Sequence, residues 1–160
     1  MTKLNFQQIV DYFTRSYRVV DGLWFMKVEE KYGFDVALDL DKNVWEVVSK
    51  IQARLLKSLL DLETGSDALF EIITTKLEVE GFKFKAEKTQ KGFRIRIDDC
   101  PWHNLMIKSG RENLSGTVGE TICSNEYQIF ASEIANTMKF ELKFQKCKKS
   151  PHCILEFVDK

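Results

Sequence analysis

Gly81-Phe82-Lys83-Phe84-Lys85-Ala86-Glu87-Lys88-Thr89-Gln90-Lys91-Gly92-Phe93-Arg94-Ile95-Arg96-Ile97-Asp98 is where the chain changes period. Before Gly81 the apolar residues recur every three to four positions. From Phe82 they alternate with charged ones. Phe82, Phe84 and Ala86 face one way, as do Phe93, Ile95 and Ile97 after Thr89-Gln90-Lys91-Gly92. That pattern reads as a β-hairpin with one wet face. Everything upstream then reads as helical and everything downstream as mixed.

Upstream, Leu4, Ile9, Tyr12 and Phe13 lie on the stripe of a helix over about 4–16. Val20, Leu23, Trp24, Val28 and Tyr32 mark a second over about 19–32, with Gly33 placed to end it. The longest run, about 34–61, repeats Val36, Leu40, Val44, Val47, Ile51, Leu55 and Leu59 at helical spacing. An N-cap at Asp41 would split it into a short helix and a longer one. After Gly65, Ser66 reads as the N-cap of a fourth helix carrying Leu69, Phe70, Ile73 and Leu77. Downstream, Trp102, Leu105 and Ile107 suggest a third strand, and a Gly-rich stretch runs from Gly110 to Gly119. A helix is expected over about 120–138, and strands at Phe140–Phe144 and Ile154–Val158. The expected fold is α+β: N-terminal helices packed on a twisted antiparallel sheet, with β-β-β-α-β-β order in the C-terminal half. At 160 residues the chain is expected to form one domain, its helical part about 1–80 and its cysteine-bearing part about 81–160.

All four cysteines fall in that second part, as Cys100, Cys123, Cys147 and Cys153. Cys147 and Cys153 form a C-x5-C pair, and Cys100-Pro101-Trp102-His103 opens a C-x2-H. Four soft ligands near the ends of separate elements match the donor count of a closed zinc site. An iron–sulfur cluster takes a like set of thiolates. Free buried thiols and a redox disulfide are the remaining readings, and His103 or His152 could replace one thiol. The expected positive end of a helix at Cys123, and Lys146, Lys148 and Lys149, would lower thiol pKa.

Other chemistry is sparse. Lys+Arg and Asp+Glu both total 24, and no basic stripe interleaved with aromatics suggests nucleic acid. No run reaches the roughly 20 apolar residues of a membrane span. The polar N-terminus lacks a secretory pattern, so a cytoplasmic location is expected. Glu29 and Glu30 could supply a general base or simply a solvated helix face. There is no P-loop, G-x-G-x-x-G, G-x-S-x-G or H-E-x-x-H. The 12 Phe can fill a core or line a pocket. A pocket is expected near Trp24, Phe25, Trp102 and His103. A small-molecule ligand is the expected partner, and homodimerisation is left open.

Asp21-Gly22-Leu23-Trp24-Phe25, Glu29-Glu30-Lys31-Tyr32-Gly33, Ala37-Leu38 and Val44-Trp45 together resemble the N-terminal motif of an uncharacterised archaeal and bacterial family. That family is related to the L-2-amino-thiazoline-4-carboxylic acid hydrolase-like domains. Cys100-Pro101-Trp102, Cys123 and Cys147 with Cys153-Ile154-Leu155-Glu156-Phe157 resemble its cysteine pattern. The closing Cys147…Cys153-x-x-x-Phe157 is also similar to the end of 4-vinyl reductase (hydrocarbon-binding) domains. The resemblance covers about 20–60 and 98–158. It implies zinc on the cysteines and a cavity for a small apolar or ring-containing ligand. Two functions compete: a zinc-stapled ligand-binding module, and a zinc-assisted hydrolase of a small cyclic or amide-like substrate. The second needs an open metal position and Glu29 or Glu30 as base.

Overall fold

The alternating residues of 82–98 do form the hairpin. A computed structural model describes residues 3–160 and places β1 at Lys83–Thr89 and β2 at Gly92–Asp99. The chain divides into two compact units, Met1–Asp41 and Lys42–Lys160.

In the first unit, α1 runs unbroken over Phe6–Tyr32. The expected gap near residue 17 does not exist, since Ser16-Tyr17-Arg18 contains no helix breaker. Asn5 starts the helix with a capping box: its Oδ1 accepts the Gln8 N–H, and Gln8 Oε1 accepts the Asn5 N–H. Gly33, at φ 89°, stops it; that backbone angle suits a residue without Cβ. One residue later α2 begins, and it continues over Phe34–Leu59 into the second unit as the single run its period predicts. Asp41 is inside the helix rather than at its cap.

The second unit is built on a four-stranded antiparallel sheet in the order β1-β2-β4-β3, with β3 at Met138–Phe144 and β4 at Cys153–Asp159. Between β2 and β3 lie two helices, α4 (Pro101–Lys108) and α5 (Glu112–Ile134). The C-terminal order is therefore β-β-α-α-β-β. The expected third strand at Trp102–Ile107 is α4, because Cys100 is its N-cap and Pro101 sits at N1, where a missing N–H costs nothing. The expected Gly-rich loop is the first half of α5.

Side chains of one sheet face build the core with α3 (Ser66–Val79), the rest of α2 and α5. The surplus Phe goes there. Phe93 stacks on Phe157 at 4.5 Å, Phe70 meets Phe93 edge-on at 5.2 Å, and Phe130 is fully buried. Burying each such ring is worth roughly 1.5–3 kcal/mol. The other sheet face carries ion pairs, such as Arg94–Glu156 at 2.5 Å. One set of charges lies inside. Lys76 of α3 reaches Glu80 at 2.8 Å and Glu126 of α5 at 2.9 Å. Burial opposes the lysine's charge, but the two carboxylates outweigh it and hold its pKa above the ordinary value.

Candidate metal centre

Each thiol is fixed by a different element of the second unit. Cys100 sits at the turn from β2 into α4. Its Sγ accepts the His103 N–H at 3.5 Å in the role an N-cap oxygen usually plays, and an Asn104 to Asp99 side-chain hydrogen bond of 2.9 Å pins the same turn. Cys153 opens β4, opposite Ile97 of β2. Its Sγ accepts the Lys146 N–H at 3.1 Å. Cys147 lies in a single 3-10 turn, Lys146–Lys148, closed by Lys149 in the left-handed region at φ 70°. Cys123 is in the middle of α5, not in the first turn of a helix as expected.

The link between Cys147 and α5 is a glycine. A Cβ on Gly119 would stand 3.0 Å from Cys147 Sγ. One on Gly116 would stand 3.2 Å from the Cys147 carbonyl oxygen. Gly119 and Cys123 are four residues apart, so they share one helix face about 5–6 Å from each other. The knuckle thus rests on the face of α5 that carries Cys123. A Lys148–Glu120 ion pair of 2.5 Å holds it there.

All four cysteines are free of disulfides, and burial raises the pKa of each. Burial pushes Cys100 up to about 11, against the His103 N–H and with Cys153 and Cys147 adding to the rise. Burial puts Cys123 well above the ordinary thiol value, and Glu126, Cys100, Cys153 and Cys147 each raise it further. Cys147 is raised by burial and then by Cys153, with Lys148 opposing. Cys153 is raised by burial, while the Lys146 N–H and its ammonium pull the other way. Lys146 and Lys148 therefore act in the expected sense, but all four thiols end above, not below, the ordinary value. Cys123 gains nothing from a helix N-terminus, since it is two turns and more from one.

Among the described residues no three His, Cys, Asp or Glu side chains stand in ready-made metal-binding geometry. The mutual interaction of the thiols puts them within electrostatic reach of one another without a closed shell. By donor type, four soft sulfurs, N–H groups on two of them and nearby lysines are the chemistry a zinc ion takes.

The remaining expected residues lie elsewhere. Glu30, on α1, is exposed and hydrogen-bonded to Lys27 at 2.6 Å, and that partner lowers its pKa, the reverse of what a general base needs. Glu29 is also on α1, and its carbonyl accepts the Gly33 N–H. Trp24 is 67% exposed and Phe25 meets Phe34 edge-on at 5.9 Å, both in the first unit. Trp102 packs edge-on against Trp45 at 5.5 Å. His103 is half-buried beside Cys100, its Nδ1 shielded and without a hydrogen-bond partner. His152 directly precedes Cys153. A cleft of about 180 Å³ lies between Ser66 and Phe70 of α3 and Lys88 and Phe93 of the hairpin. It is at the opposite end of β2 from Cys100 and is smaller than the roughly 300 Å³ at which ligand pockets begin.

Sequence reading missed Gly116, Gly119, Lys76 and Glu126. The spacing Gly116, Gly119, Cys123 was a usable signal, since i, i+3 and i+7 form one helical face on which small residues admit a close neighbour. Lys76 and Glu126 gave none, because each looks like an ordinary surface charge.

The chain belongs to a family of unknown function, DUF6125, whose model matches residues 1–158. No curated protein and no solved structure matches it. Nothing in these comparisons links it to the hydrolase-like or 4-vinyl reductase domains it resembles in places. Among the described residues, no helix is long and apolar enough to cross a membrane.

Proposed function

We propose that Cys100, Cys123, Cys147 and Cys153 hold one zinc ion in a closed structural site. The observation that carries this reading is the seating of Cys147 against Gly119, on the α5 face that carries Cys123, with Cys100 and Cys153 at the same end of the paired strands β2 and β4. The ion would tie β2 and β4 to α5. It supplies neutralisation: four thiolates repel one another, and a divalent cation makes their deprotonation favourable. The chain's own part is to orient the sulfurs, through the His103 and Lys146 N–H groups, and to leave room for Cys147 at Gly119.

The domain around this staple we read as a binding module, in line with the ring-containing ligand that the family-like motif implies. Zinc-assisted hydrolysis is the weaker reading. It needs an open metal position and a carboxylate to serve as base. The carboxylate beside the thiols is Glu126, and it is engaged by buried Lys76. Cobalt titration of metal-free protein tests the site. Tetrahedral thiolate cobalt gives intense sulfur-to-metal charge-transfer bands. The expected result is one equivalent bound, with zinc displacing it and each Cys→Ser variant losing intensity. Cobalt bound with octahedral, weakly absorbing spectra would contradict a thiolate site. A brown protein as purified would transfer the four thiols to an iron–sulfur cluster.

A further inference from the structure

α1 is the longest element of the first unit, and it buries none of its residues. Yet Phe6, Val10, Phe13, Tyr17, Val20 and Trp24 follow one another at alternating spacings of four and three. That is the a/d seam of a coiled coil, sustained for almost three heptads. Five of the six are 37–81% exposed, Val10 being half-buried. The opposite side of the helix carries Gln7, Asp11, Arg15 and Gly22. With Ile9 and Leu23 along one flank, the apolar face presents on the order of 700 Å², more than a monomer usually shows and close to the roughly 800 Å² that each partner of a stable complex buries.

We propose that this seam joins α1 of one chain antiparallel to α1 of a second copy. The order along the seam is aromatic, valine, aromatic, aromatic, valine, aromatic. It reads the same in both directions. A two-fold axis at the level of residue 15 therefore sets Phe6 against Trp24, Val10 against Val20 and Phe13 against Tyr17. Every a position then meets a d position of the other helix, as antiparallel pairing requires. The flank obeys the same axis: Ile9 meets Leu23, on either side of a small Ser16 that meets its own copy. No charged side chain falls on the seam between Phe6 and Trp24. A parallel pair places no such constraint on the order of the residues. Charge speaks against a lipid surface as the occupant. Between Phe6 and Trp24 the helix balances Asp11 and Asp21 with Arg15 and Arg18, whereas a helix lying on an anionic bilayer carries a basic excess. The inference is confined to the first unit and does not depend on the metal.

The test uses the full chain. Sedimentation is expected to show a dimer. Val20→Asp should weaken it about a hundredfold, because each chain's carboxylate would be buried against Val10 of the other without a partner. Residue 20 is exposed in the single chain, so the helix content of the monomer should not change. Under mild oxidation, an equimolar mixture of Val10→Cys and Val20→Cys chains should form a link, identified as the residue-10 peptide joined to the residue-20 peptide. Neither variant alone should link to itself through that position, since its two copies stand about 15 Å apart along the helices. A monomer at the highest soluble concentration would overturn the proposal, whether α1 then binds phospholipid vesicles or the chain's own second unit. So would a dimer indifferent to Val20→Asp, or Val10→Cys chains that link to themselves through residue 10, as a parallel pair would.

Discussion

Two glycines in helices show how one residue type serves opposite ends. Gly119 is required by its neighbour: a methyl group there would press on Cys147 Sγ at 3.0 Å. Gly119→Ala is expected to displace the knuckle and lower zinc retention in a chelator competition, even though alanine favours helix by about 1 kcal/mol. Gly22, inside α1, has nothing within 4 Å of its missing Cβ. Gly22→Ala should therefore stabilise α1 by about 1 kcal/mol, seen as greater helicity on heating, with no effect on metal. Tyr127 gives a third residue-scale test. Burial, then Glu126 and Cys123, hold its phenol well above the ordinary value. Above pH of about 10 the folded chain keeps a proton that the unfolded chain loses, so this group's contribution to stability falls as pH rises. Tyr127→Phe should keep the fold to higher pH, followed by circular dichroism. Loss of structure at the same pH in both proteins would show that the phenol does not govern alkaline unfolding.

At the scale of elements, the four strands were legible, while α1 was split in two, α4 was read as a strand and the start of α5 was hidden. Phe93, Ile95 and Ile97 alternate cleanly because β2 buries one face only. α2 was legible because its apolar repeat never lapses. α4 was misread because Leu105 and Ile107, two apart, mimic a strand, and the deciding cue was the turn chemistry of Cys100-Pro101. The start of α5 was hidden by Gly116 and Gly119, each costing helix about 1 kcal/mol, which the close approach of Cys147 explains. The four cysteines could be singled out from their count and placement, but the glycines against Cys147 could not. The Lys76 cluster joining α3 to α5 was invisible, because nothing local marks a lysine as buried. It also yields a firm expectation. Lys76→Met leaves Glu80 and Glu126 buried without their cation and should cost about 3–5 kcal/mol in denaturant unfolding. Replacing both carboxylates by Gln in the same chain should recover much of that loss. If Lys76→Met alone is harmless, the cluster is more hydrated than its burial implies.

The whole molecule combines a helical first unit with a second unit whose sheet and helices pack through an apolar core flanked by Cys100, Cys123 and Cys153. Its net charge is zero, so neither charge nor a recognisable catalytic triad explains why it folds this way. Four part-buried thiols, each kept neutral by burial, would ionise together only beside a cation, and the proposed zinc would be that cation. The most direct test is elemental analysis and native mass measurement of the freshly purified chain, with thiol titration before and after chelation. The account predicts one zinc per chain and four thiols that become reactive only when the metal is removed. A folded, metal-free chain with four thiols freely titratable from the start would contradict it.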